Sequence, residues 1–277
     1  MDPALETLIA LDQGNETSRR VLSKLIPDIS SQRYQTIYHI ITSSLKLKCC
    51  GQDICLALNY LDRALAGAIK LPQSENDARQ LANACISLAL KMGNDYNCDR
   101  GHLGYIVWMS LFGQLQQLEM KGQSQAYHIS HCLLPFSQRR ALTEELKATN
   151  AVQRLVLKTL QWKVDQPTAV DFIAYYRDAG LVGSLDPDSY SKLLMELVIH
   201  EYSALWSAHS LALIFFQLIA ASEEQAICFP TPPELEKLKL TSGEKWMDTL
   251  RSKAANSLAD TFSVHNQARL KENTAQQ

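Results

Sequence analysis

Five side chains in the middle of the sequence have the chemistry of a metal site: Cys98 and His102, then His128, His131 and Cys132. Thiolate and imidazole are ligands zinc prefers, and structural zinc sites take four of them in compact pairs. The spacing here matches no compact finger, and a predicted helix separates the two halves. Free thiols and surface histidines are the simpler reading, and no metal is expected. Glycine-rich nucleotide loops, an HExxH pair and a GxSxG turn are all missing from the sequence. Seven histidines scattered over apolar helices read as packing or surface groups, not as bases. Neither an enzyme nor a cofactor is expected.

Such a chain must act through its surfaces, so the elements that build them matter more. Of 277 residues 46% are hydrophobic, and glycine (11) and proline (9) are scarce, which favours helices with short connections. The 27 Lys and Arg against 29 Asp and Glu leave a net charge of −2. The dense basic clusters are short, SLKLK at 44–48 and Gln138–Arg140, too few for strong phosphate neutralisation, so direct nucleic-acid binding is not expected. The opening MDPALETLIALDQ carries acids where a secretory signal carries Lys or Arg. The longest apolar run, Ser210–Ala221, is too short to span a bilayer. Seven cysteines, an odd number without a CxxC pair, point to a reducing compartment, nuclear or cytoplasmic.

Apolar residues recur at three to four positions along the whole chain, and no stretch alternates like a strand. Leu5–Leu25 predicts an amphipathic leader that Pro27 interrupts. Ser30 or Ser31 would cap a helix over Gln32–Leu47 with Tyr34, Ile37, Ile40, Ile41 and Leu45 inward. Asp53 to about Ile69 predicts the next, carrying Leu56, Leu58, Tyr60, Leu61 and Leu65. Asp77–Met92, with Ala78, Leu81, Ala82, Ala84, Cys85, Leu88, Ala89 and Met92 on its core face, is rich in small residues and reads as the central helix. Residues 93–140 are irregular around a helix at Leu103–Leu118. A helix from Ser137 or Thr143 to Leu160 follows, and Asp165–Pro167 forms a boundary before a helix from Thr168. Further helices are expected at Pro187–Tyr202, Ala204–Ser222 and Ser242–Phe262, with a short one at Pro233–Leu238. Trp108, Trp162, Trp206 and Trp246 sit at core spacings, although Trp108 could be an exposed anchor.

Three segments in order, LALNYLDRAL (56–65), LANACISLALK (81–91) and LVLKTLQWKVDQPTAVDFI (155–173), resemble the cyclin box. The bridge from Trp162 through Pro167 and Thr168 to Phe172 is the most specific part. The resemblance implies an all-α fold of two consecutive five-helix boxes. Its parts would be a helical leader at 1–29, a first box at 30–163 with a long insert near 93–140, a second box at 165–265 and a tail at 266–277. It also implies a buried ion pair between Arg33 and Asp62.

Cyclins grip a helix of a cyclin-dependent protein kinase, so the resemblance implies a non-catalytic regulatory subunit. Lys91 matches the family's gripping lysine, with Leu90, Leu155 and Lys158 as neighbours. The family places a glutamate where this sequence has Gln153, which cannot balance a buried cation. Glu144 and Glu145 could stand in only if the helix register differed. Gln32, Thr36 and His39 occupy the places of the family's apolar substrate-docking patch, so that kind of docking is not expected. The leader LIALDQGNETSRRVLSKLI looks like the opening of cyclin N-terminal-domain proteins of meiotic crossover, where recombination or repair proteins would be the partners. A kinase-independent scaffold and a transcription adaptor are the rival readings.

Overall fold

The computed structural model describes residues 2–47, 49–67, 69, 72–92, 103–112, 135–179 and 207–222. Every regular element among the described residues is an α-helix, and there is no strand among them. They are α1 (Pro3–Gln13), α2 (Glu16–Leu47), α3 (Gly51–Ala66), α4 (Glu75–Met92), α5 (Leu103–Phe112), α6 (Phe136–Thr159), α7 (Ala169–Asp178) and α8 (Ala208–Ser222). The chain divides into two compact units: Ala10–Thr168, and Met1–Ile9 together with Ala169–Gln277. None of the described helices is long and apolar enough to cross a membrane.

In the larger unit α4 is the axle, packing against α2, α3, α5 and α6. Ala78, Ala82, Ala84, Cys85 and Ala89 are all fully buried on it, and small side chains let four neighbours approach one helix closely. Local signals fix where helices start. Ser74 and Asp77 form a reciprocal cap, the Asp77 N–H donating to Ser74 Oγ at 3.1 Å and the Ser74 N–H to Asp77 Oδ2 at 3.1 Å. Asp53 caps α3 by accepting the Cys50 N–H at 3.0 Å and the Cys50 thiol at 3.2 Å. Partial burial, aided by the Asp53 charge, pushes the Cys50 thiol up, and burial does the same to Cys85. Cys50 and Cys85 are free thiols.

Three expectations about the elements are corrected. Proline does not interrupt the leader: α2 runs unbroken through Pro27 and across the expected boundary at 29/30. Buried anchors on both sides, Leu22 ahead and Ile37 and Ile40 behind, offset the single hydrogen bond that proline forgoes. Tyr34 and Leu45 point outward, at 66% and 69% exposure. The face of α2 that packs is set by Arg33, Thr36, Ile37, Ile40, Ser44 and Leu47, about a quarter turn away. Met92, expected inward, is exposed as the last residue of α4.

Trp162 is likewise not core: it is 67% exposed, whereas Trp108 is buried. The cause is the end of α6. The Gln161 N–H donates to the Lys158 carbonyl at 2.9 Å and the Trp162 N–H to the Leu157 carbonyl at 2.9 Å, a glycine-type helix stop built without glycine. Gln161 and Trp162 take φ of 52° and 62°, and a side chain in this left-handed region costs roughly 1–2 kcal/mol. Gln161→Gly therefore stabilises the fold by about 1 kcal/mol, read as a higher urea midpoint at unchanged slope. An unchanged or lower midpoint would show that the stop carries no such strain.

In the other unit α7 packs on α8. Tyr176 Oη lies 2.5 Å from His209 Nε2, and the Tyr176 ring meets Phe216 edge to face at 5.9 Å. Ala208, Leu211–Phe216 form a buried apolar stretch as the Ser210–Ala221 run suggests. The expected helices at Pro187–Tyr202, Pro233–Leu238 and Ser242–Phe262, the zinc-capable side chains, Trp206, Trp246 and most of the 93–140 insert lie outside the described residues.

Candidate functional site

The stretch NYLDR on α3 assigns each polar side chain a separate job. Asp62 accepts two hydrogen bonds from Arg33 of α2, at 2.7 Å from Nε and 3.1 Å from Nη2. Arg33 is only 4% exposed, so this charge is matched almost entirely inside the protein. The Tyr60 hydroxyl donates to the Val164 carbonyl at 2.7 Å, and burial holds its phenol well above the usual range. Arg63 Nη2 donates to the Lys163 carbonyl at 2.7 Å. Together Tyr60 and Arg63 hold the bridge after α6 against α3. Asn15 adds a hydrogen bond to Gln166 Oε1 at 3.1 Å.

A polar seam runs between α4 and α6. At one end Glu145 accepts a hydrogen bond from Gln80 at 3.0 Å and pairs with Arg79 at 3.3 Å. At the other Gln153 donates through its amide to Ser87 Oγ at 3.0 Å. Partners 65 and 66 residues apart at the two ends mean that the helices run parallel. Asn83 and Thr149 lie buried between them.

The residues of the expected grip are thereby divided. Lys91 stands exposed on the last turn of α4, with no carboxylate at ion-pair distance among the described residues. A cation here also faces the negative end of the helix dipole. Leu90 beside it is buried. Gln153 turns inward and spends its amide on Ser87, one turn before Lys91. Leu155 and Lys158 lie on the opposite, outer side of α6, in an open trough with Lys147, Asn150, Ala151 and Arg154. Glu145 occupies a buried place two turns before Gln153, committed to Arg79 and Gln80, and so does not stand in for the missing acid.

Ser87, Arg79 and Gln80 are the residues that sequence reasoning passed over, and the role of Glu145 as partner of Arg79 and Gln80 was not foreseen. Their signal was a constant offset along two helices, which becomes visible only when the helices are paired. Of the positions matching an apolar docking patch, Thr36 is buried and donates to the Gln32 carbonyl at 2.9 Å, while Gln32 and His39 are half-buried.

The family model described as cyclin, N-terminal domain, matches residues 8–165, more than half of the chain. The match begins in α1 and ends in the bridge that Tyr60 and Arg63 hold. A search of the curated proteins finds no match.

Proposed function

This chain belongs to the cyclin family, and from that premise we propose that it is the non-catalytic regulatory subunit of a cyclin-dependent protein kinase. The observation that carries this reading is Lys91, an exposed and unpaired cation among the described residues at the end of the most buried helix. A packed helix that presents an unpaired cation at its end is suited to seizing a mobile kinase helix, whose position sets the kinase's own Lys–Glu pair. With Gln153 bonded to Ser87, the reading has the partner supply the carboxylate that pairs with Lys91. The subunit would act in the nucleus or cytoplasm and needs no cofactor, membrane or nucleic acid.

The test is affinity capture of the full chain beside Lys91→Glu, read by mass spectrometry. A cyclin-dependent kinase is expected with the wild type and lost with the variant, since like charges at a desolvated contact cost several kcal/mol. Kinase recovery that is indifferent to Lys91→Glu would defeat this assignment of the contact.

One observation favours a second reading, a scaffold that keeps the fold without a kinase. Gln153 is neutral, inward and bonded to Ser87, so half of the family's polar grip is gone. The leader's likeness to the meiotic-crossover proteins would then make recombination or repair proteins the partners. Recovery of such proteins without kinases, unaffected by Lys91→Glu, is the outcome that selects it.

A further inference from the structure

The outer face of α6 carries an open trough of about 520 Å³ lined by Lys147, Asn150, Ala151, Arg154, Leu155 and Lys158. Ala151 is the smallest of the six, set among the longer Lys147, Arg154, Leu155 and Lys158. Three of the six lining residues are cations, in a chain whose net charge is −2. Glu144 lies 3.8 Å from Lys147 with both side chains well exposed, a pairing too weak to neutralise the face. Arg154 and Lys158 have no carboxylate within pairing distance among the described residues. Leu155 adds an apolar surface, 46% exposed. Unmatched positive charge, a polar amide and an apolar side chain in one concave strip is the complement of an acidic segment with an apolar anchor.

We infer that this trough docks an acidic, partly apolar segment of a partner protein. Carboxylates on the partner meet Lys147, Arg154 and Lys158, which are about 10 Å and about 6 Å apart along the helix axis. An apolar side chain covers Leu155, and Asn150 can hydrogen-bond the partner's backbone. Nucleic acid is the poorer fit: three cations on one helix release few counterions, and an apolar wall does nothing for phosphate. The inference rests on the kinase-partner reading and extends it to a second face, the outer side of α6 away from Gln153, where it specifies the chemistry the partner presents.

The test immobilises the full chain and selects on it from a displayed library of random peptides. Peptides rich in Asp and Glu with an apolar residue among them are expected to be enriched. Their affinity should fall at least roughly tenfold with Arg154→Glu and with Lys158→Glu, weaken with added salt, and be unchanged by Lys91→Glu. Both reversals are at exposed positions, and unchanged melting temperatures show that the fold is retained. Failure to enrich acidic peptides overturns the inference, as does equal binding by the two reversal variants. A single-stranded DNA probe that binds the wild type and is lost on both reversals, with no acidic peptide enriched, also overturns it. Failures separate cleanly: kinase capture that is sensitive to Lys91→Glu but not to the reversals removes the trough and leaves the kinase reading. Acidic peptides without kinase capture do the opposite.

Discussion

Arg33→Ala lowers the stability of the protein by about 3–5 kcal/mol, the largest loss expected of any single substitution here. The substitution strands the Asp62 side chain, only 17% exposed, with both of its hydrogen bonds from Arg33 gone. Cys85, fully buried nearby, offers no compensation, since burial and the Asp62 charge keep its thiol protonated. The energy measures the cost of stranding one charge and is not the net worth of the pair. The Arg33→Ala/Asp62→Ala double variant should therefore lose less than the sum of the two singles. For a unit of this size the single change lowers Tm by about 10 °C or more. A Tm equal to wild type would mean that the pair contributes nothing in solution.

Gly67→Ala destabilises by about 1–3 kcal/mol, although a glycine outside a helix is usually a place where alanine helps. Gly67 ends α3 with φ of −86°, a conformation open to any residue, so alanine would ordinarily gain about 0.4–1 kcal/mol through the unfolded chain. Space decides the sign. A Cβ at Gly67 would stand 2.2 Å from Thr159 Cγ2, where the end of α6 passes α3. Thr159 cannot swing away freely, because its hydroxyl donates to the Leu155 carbonyl at 2.9 Å. Thr159→Ser removes the offending methyl and keeps the hydroxyl, so the Gly67→Ala/Thr159→Ser pair should recover most of the loss. Urea midpoints of the four proteins in this cycle decide it; a Gly67→Ala protein as stable as wild type would show that α6 gives way at no cost.

Both effects arise where α3 meets its neighbours, and α3 was among the most legible elements. Leu56, Leu58, Tyr60, Leu61 and Leu65 are all buried as the periodicity requires, and so are Ala78 to Ala89 on the core face of α4. Helical repeats of three and four place these residues on one face regardless of what lies opposite, so the sequence by itself determined the core faces of α3 and α4 and the small-residue centre. The Arg33–Asp62 pair was legible through family likeness, because a charge at a core position demands a partner.

Tertiary structure decided what periodicity leaves open. The apolar arc of α2 is wider than the face one neighbour can cover, so only packing could show that Ile37 and Ile40 are inside while Tyr34 and Leu45 are outside. Trp162 is outside because α6 stops in a left-handed turn one residue earlier, and that turn has no glycine to announce it. The direction of Gln153 follows from Ser87 lying opposite it on a helix 66 residues away. A side chain with both a donor and an acceptor takes the partner that the packed helices bring within reach, and no local rule names that partner in advance.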